Sequence, residues 1–262
     1  MKSQSEKRIM QATALDTEMI IKDARAALPS STRRRFTQRA LTLGGLSLLS
    51  GCELTEQESV NKMLSAISRM NDKVQAALFD PNKLAPTYPA SMITRPFPFN
   101  AFYGEDEVPQ VDGEAYRLAI AGLVRDKRAW SLSELQRLPQ TEQITRHICV
   151  EGWSAIGRWG GVPFAGFLRM IGADLSAQFV SFRCSDDYYT SIDMPTALHP
   201  QTQLTLSYDG EVLPPKYGFP MKLRMPTKLG YKNPKHIVAI EITNTYPGGY
   251  WEDQGYNWFG GA

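Results

Sequence analysis

Cysteine is scarce in this chain. Three of its 262 residues are cysteines, Cys52, Cys149 and Cys184. That is too few for a disulfide framework, and without a CxxC pair there is no zinc ribbon, thioredoxin-like site or CxxCH haem attachment. The cysteines of an iron–sulfur cluster are missing as well. Neither GxGxxG nor a P-loop occurs, and there is no alternation of strands and helices of the βαβ kind, which argues against a Rossmann domain. No apolar run reaches the roughly 18 residues of a membrane-spanning helix. A strong basic excess is also lacking. Residues 1–52 hold nine of the 29 Lys/Arg and four of the 27 Asp/Glu, so the remainder carries 20 against 23. Nothing in that balance predicts nucleic-acid binding.

The surplus of positive charge lies at the N-terminus. Thr32-Arg33-Arg34-Arg35-Phe36 is followed by an apolar run from Ala40 to Leu49, the layout of a signal peptide in its twin-arginine form. Residues 1–52 are therefore read as a leader addressed to the twin-arginine translocase, a route open to proteins already folded around a cofactor. Leu49-Ser50-Gly51-Cys52 resembles a lipobox. The expected location is the periplasm or the outer face of the cytoplasmic membrane, with Cys52 as the point of lipid attachment.

Residues 53–98 form the next segment. Val60, Met63, Leu64, Ile67, Met70, Val74, Ala77 and Leu78 recur at three- and four-residue spacing, which predicts an amphipathic helix from Thr55 to about Phe79. Its apolar stripe is expected to pack on the core as an arm clasping the domain. Pro81, Pro86, Pro89, Pro96 and Pro98 then mark an extended connector.

Residues 99–262 read as one α+β domain with mixed sheets. Strands are expected at Tyr116–Ile120, Ile144–Val150, Phe179–Cys184, Tyr188–Ile192, Leu204–Ser207, Met221–Met225 and Ile237–Ile242, with a hairpin at Asp209-Gly210. Helices are expected at 131–138, opened by the capping box Ser131-x-x-Glu134, and at 163–171, with a helical turn near 195–198. On the strand Ile144–Val150, the residues Thr145, His147 and Cys149 share one face. Cys149 ends that strand just before Gly152-Trp153 turns the chain, a rigid position from which a thiolate can hold a metal. A Cys149–Cys184 disulfide is the plainer alternative. His147, Asp186, Tyr188 and His199 are further candidates for the pocket or its supporting shell, and the Gly- and aromatic-rich tail 248–258 is read either as a pocket mouth or as a packed strap.

Four stretches carry a family resemblance: Cys149-Val150-Glu151-Gly152-Trp153-Ser154, the following Trp159-Gly160-Gly161-Val162-Pro163-Phe164, the run Leu213 to Pro226, and Lys228 to Lys235. In this order they resemble the molybdopterin-binding domain of the sulfite oxidase family, and most of all its exported sulfoxide-reducing members. The resemblance implies a mixed-sheet α+β fold and a molybdenum–molybdopterin cofactor with Cys149 as the protein thiolate on the metal. It also implies cofactor contacts from Asn100 and Tyr103, in an Asn-x-x-Tyr motif, and from Asn233, Pro234 and Lys235. The sequence departs from the family at three further contact positions. Cys184 stands for a threonine, Tyr217 for an asparagine, and Lys222 for an arginine, with Arg224 two residues on. Ile148 stands where the reductases carry an arginine, at a position that the resemblance places beside the substrate pocket.

The activity so implied is two-electron oxygen-atom transfer, with an S-oxide or N-oxide as the small-molecule or protein-bound substrate. The absence of built-in redox groups calls for a separate electron-transfer partner, for which a cytochrome is suited. Two alternatives stay open: a sulfite-oxidising enzyme of the same family, and a non-catalytic lipid-anchored binding protein.

Overall fold

A computed structural model of the protein describes residues 57–262. The leader, the lipobox-like motif and Cys52 lie outside the described residues. No helix among the described residues is long and apolar enough to cross a membrane.

Two five-stranded sheets and a few short helices make up the fold. In the first sheet, β1 (Arg117–Gly122), β2 (Trp130–Ser131), β5 (Phe179–Cys184), β6 (Tyr189–Asp193) and β10 (Ile237–Thr243) are ordered β2-β1-β10-β5-β6. The pair β1·β10 is parallel and the others are antiparallel, so the sheet is mixed, as expected. The second sheet runs β3 (Thr141–Ile148), β4 (Ser154–Pro163), β7 (Gln203–Tyr208), β8 (Glu211–Val212), with β9 (Lys222–Arg224) also paired to β7, all antiparallel. Alternation decides which faces are buried. In β1, Leu118 and Ile120 point inward while Arg117, Ala119 and Ala121 face solvent. Val180, Phe182, Ile240 and Ile242 of the first sheet share one core with Val162, Leu204, Leu206 and Leu223 of the second. A smaller cluster gathers Phe97, Ala155, Trp159, Leu213 and Tyr217.

Strand β4 is not among the strands expected from the sequence. Its glycines serve close packing. The register with β7 shifts between Gly160 and Gly161, and a Cβ at Gly161 would lie 2.1 Å from the Leu204 carbonyl oxygen. Only glycine permits that approach.

The first helix of the described residues, α1 (Gln57–Leu78), forms where its periodicity placed it. The expected packing of its apolar stripe is wrong. Ile67 is 50% exposed, Met70 61%, Val74 49% and Leu78 79%. Leu64 and Ala77 are exposed too, and the side chains of Val60 and Met63 lie outside the description. The helix is held by its polar side. Asp72 accepts the backbone N–H of Phe259 at 2.8 Å, and Gln75 accepts that of Gly261 at 3.1 Å. These N–H groups belong to an irregular C-terminal segment that a bridge between Gly261 and Lys228 joins to the body. Those hydrogen bonds, with Phe79 packed edge-on against Phe259 at 5.6 Å just past the helix, attach it in place of the apolar stripe.

Further on, α2 (Leu132–Arg137) starts at the expected capping box. The Ser131 hydroxyl accepts the Glu134 N–H, and the Glu134 carboxylate accepts the Ser131 N–H at 2.8 Å. Next, α3 (Phe164–Met170) buries Phe164, Phe167 and Leu168, and the short α4 (Met194–Ala197) follows β6.

Candidate functional site

β3 delivers Cys149. Along that strand Thr145, His147 and Cys149 are buried, whereas Arg146 and Ile148 are half-buried on the other side. The chain then reverses tightly: Cys149 N–H donates to the Trp153 carbonyl at 2.9 Å, and Gly152 N–H donates to the Cys149 carbonyl at 3.1 Å. Gly152 takes φ +90°, a conformation open to glycine. Both Cys149 and Cys184 are free thiols, so the disulfide alternative is not realised.

Cys149 opens into a pocket lined by Asn100, Tyr103, Asn233, Pro234 and Lys235, all expected at a cofactor site. Cys184, Tyr217 and Lys222 do not line it. Cys184 closes β5 behind the pocket, its N–H donating to the Tyr188 carbonyl at 2.9 Å. Tyr217 sits in the smaller aromatic cluster and donates its hydroxyl to the Phe97 carbonyl at 2.9 Å. Lys222 is buried with its ammonium 4.8 Å above the Trp159 ring. Of the other candidates, Asp186 and Tyr188 line the pocket. His199 does not. It faces the connector, its Nε2 3.1 Å from the Lys83 carbonyl. His147 is buried beside the pocket: its Nε2 lies 3.5 Å from the Asn100 amide nitrogen. A Cβ on Gly230 would come within 2.8 Å of the same atom. The close approach of the Gly230 backbone thus sets His147 and Asn100 against each other.

The charge distribution behind the pocket is unusual. Lys222, Arg224 and Lys235 are all buried, and among the described residues none of them forms an ion pair. Lys235 donates to the carbonyls of Asn100 at 2.5 Å and Lys216 at 2.9 Å. Arg224 donates to the Arg146 carbonyl at 2.6 Å, the Thr145 hydroxyl at 3.2 Å and the Asn233 side-chain carbonyl at 3.3 Å, and its Nε has no partner. Burial pushes Lys235 down to about 8 and Arg224 to about 9. Lys222 is forced well below the usual lysine range by burial and then by the two neighbouring cations. His147 is likewise depressed by burial and by Arg224, Lys222 and Lys235, which keeps its ring neutral. None of the three has a carboxylate in ion-pair contact, and only Lys235 is drawn toward acidic neighbours, Asp186 and Glu105, so the cluster carries an unmet electrostatic demand.

The outer wall, where Phe102, Glu151 and Tyr256 are exposed, differs in character: Phe102, Tyr188, Tyr231, Trp251 and Tyr256 line it with rings, and Glu151 and Asp186 add two carboxylates to the lining. Glu151 accepts the Trp153 indole N–H at 2.9 Å and lies 3.7 Å from the Cys149 sulfur. Asp186 accepts the Tyr103 hydroxyl at 3.1 Å and the Tyr188 N–H at 3.2 Å. Burial raises the Cys149 thiol above its ordinary value. Sequence reasoning passed over Glu151, although its place two residues after the cysteine was a usable signal. Ile148, by contrast, does not line the pocket.

Comparison with known proteins agrees with this geometry. The family described as "oxidoreductase molybdopterin binding domain" matches residues 105–251. A putative protein-methionine-sulfoxide reductase subunit YedZ1 of Azospira oryzae is 69% identical over 241 residues, 92% of each chain. The protein-methionine-sulfoxide reductase catalytic subunit MsrP of Ralstonia nicotianae is 30% identical over 161 residues, 55% of this chain and 49% of that one. This chain thus spans about half the length of the MsrP relative. Among solved structures, the sulfane dehydrogenase SoxCD of Paracoccus pantotrophus aligns with a TM-score of 0.50 at 20% identity, covering 53% of this chain and 40% of that one. That is a likeness of fold.

Proposed function

The chain belongs to the oxidoreductase molybdopterin binding domain family and is a molybdopterin-dependent oxidoreductase, and from that premise we propose that it reduces neutral S-oxides, methionine sulfoxide among them. The residues present fit the cofactor. Lys235 lines the pocket with Lys222 and Arg224 buried behind it, none of them in an ion pair, and the pterin phosphate is an anion that this basic cluster would hold. Cys149 offers a soft ligand at the pocket floor to a soft, redox-active metal. In this reading Asn100, Tyr103, Asn233 and Pro234 wall the cofactor, while Cys184 and Tyr217 pack behind it rather than touch it. When bound, the molybdenum centre supplies a two-electron couple able to exchange an oxygen atom with substrate.

The observation that carries the substrate class is the pocket's outer wall, with five aromatic rings and two carboxylates. Such a wall disfavours sulfite, a small anion, by like-charge repulsion, and it suits a neutral, partly apolar sulfoxide. The relatives named as methionine-sulfoxide reductases support the same choice. In the balanced reaction the sulfoxide takes up two electrons and two protons, its sulfur–oxygen bond breaks, and the products are the thioether and one water. Asp186, which lines the pocket and is hydrogen-bonded to Tyr103, is a carboxylate placed to pass the protons. Electrons come from a separate partner, and a cytochrome fits that role. The twin-arginine leader supports export of the loaded enzyme to the periplasm, and Cys52 supports a lipid anchor on the outer face of the membrane.

A panel assay on molybdenum-loaded protein tests this reading. Reduced viologen is expected to drive turnover of methionine sulfoxide and dimethyl sulfoxide, with sulfite oxidised slowly or not at all. Faster sulfite oxidation than sulfoxide reduction would overturn the substrate class.

A further inference from the structure

Helix α1 turns its apolar residues away from the domain. Ser68, Asp72, Gln75 and Phe79 form the half-buried row toward the domain, fixed by the bonds from Asp72 and Gln75 to the C-terminal backbone. Ile67, Met70, Val74 and Leu78 recur three and four residues apart on the opposite side, each about half exposed or more. Arg69 and Lys73, one turn apart and both exposed, lie to one side of this stripe, Lys73 next to Met70. A contiguous apolar row of this kind on a helix surface marks a contact with something apolar.

Three observations select the occupant. The stripe is a single helix face with basic residues beside it, the composition of a helix that lies in a membrane interface. Anionic headgroups complement Arg69 and Lys73. The lipobox-like Cys52 is separated from Gln57 by four residues, Glu53 to Glu56. Those residues span at most about 18 Å even when fully extended, so acylation of Cys52 would bring the start of α1 to the bilayer. We propose that the face of α1 formed by Ile67, Met70, Val74 and Leu78 rests on the surface of a lipid bilayer containing anionic headgroups. The chain is thereby held by two signals, the acyl anchor and the amphipathic helix. Only the reach of the helix rests on the anchored reading given above.

The experiment uses the mature, molybdenum-loaded protein reconstituted on vesicles of phosphatidylethanolamine and phosphatidylglycerol. An environment-sensitive thiol label is placed at Met70→Cys and, separately, at Val74→Cys, with Leu123→Cys as an exposed control on the domain. The native Cys149 and Cys184 are buried and leave the label site-specific. Labels at 70 and 74 are expected to shift to the blue and to be quenched about twofold or more by lipids brominated on their acyl chains, while the control is unaffected. Adding Ile67→Asp and Leu78→Asp, both at exposed positions, should abolish the quenching with the unfolding midpoint unchanged. Labels at 70 and 74 that stay unquenched on vesicles overturn the proposal. If they are then shielded in native membranes, the face belongs to a membrane protein; if they are shielded as concentration rises without lipid, it belongs to a second copy. Mass spectrometry of the mature N-terminus separates the two readings: quenching without acylation would retire the anchor and keep the helix contact.

Discussion

Lys232 and Glu252 form an ion pair in which each side chain is only 1% exposed. The lysine also donates to the Ser191 carbonyl at 2.6 Å, and the carboxylate accepts the Thr190 hydroxyl at 2.7 Å. The pair therefore ties the C-terminal strap to β6 and to the turn that carries Asn233. Removing one partner leaves a buried charge uncompensated, at a cost of about 3–5 kcal/mol. Glu252→Ala should accordingly lower the thermal midpoint by roughly 10 °C. The double change Lys232→Met with Glu252→Leu should recover most of the loss, because two apolar side chains leave no stranded charge. Unfolding followed by circular dichroism checks both, and a single variant as stable as the parent would show the pair to be dispensable.

The strap continues into the pocket through Trp251 and Tyr256. Both sides of the alternative drawn from its sequence are thus realised: the segment is packed, and it lines the mouth. Trp251→Ala should raise KM for aryl methyl sulfoxides several-fold, with little change for dimethyl sulfoxide, since the lost contact is with an apolar substituent. Steady-state kinetics over a series of sulfoxides measures this. Equal effects on every member would assign Trp251 a purely structural part.

Much of this architecture was legible in local patterns. The alternation of Leu118 and Ile120 placed β1, the Ser131-x-x-Glu134 box placed α2, and the two-residue period put Thr145, His147 and Cys149 on one face. What escaped depends on partners distant in sequence. The strand through Gly160-Gly161 has no local signal until the Leu204 backbone is known to pass too close for any Cβ at Gly161. The stripe of α1 looks like core until the N–H groups of Phe259 and Gly261 are found to claim the polar side. The family resemblance places Ile148 beside the pocket, yet the alternation that buries Cys149 turns Ile148 aside.

Cys149→Ser tests the metal ligand. Serine is close in size, so the fold should persist. The hard oxygen should weaken the bond to a soft metal, reducing turnover to background and removing the sulfur-to-metal absorption of the loaded enzyme. Cys184→Ser, behind the pocket, should retain most activity. Full turnover in the Cys149 variant would exclude it as the ligand.

Replacing Arg33 and Arg34 with Lys should leave a folded precursor inside the cell, because the translocase reads the arginine pair. Fractionation followed by immunoblotting reports the outcome. Unchanged export would assign the leader to the general secretory route.

Lys235 predicts a pH dependence that differs between the empty and the loaded protein. An ordinary lysine holds its proton to 10.5, whereas burial lowers Lys235 to about 8 in the fold. Between those values the unfolded chain binds a proton that the folded chain has released, so stability rises as the pH climbs through this window. Below about pH 8 the buried ammonium is charged in the fold and its full penalty applies. Cofactor-free protein should therefore show a thermal midpoint that rises from about pH 7.5 toward about 10. Lys235→Met should lessen that rise, the remainder coming from the buried Lys228 and Lys222, and stabilise the empty protein at neutral pH, while lowering the molybdenum and pterin that co-purify. In the loaded enzyme the phosphate would compensate the charge, and the rise should be smaller than in the empty protein. Thermal melts of both forms across this range, with metal analysis of the variant, decide the matter. An empty protein whose midpoint falls over the window would contradict the buried-cation account of the phosphate site.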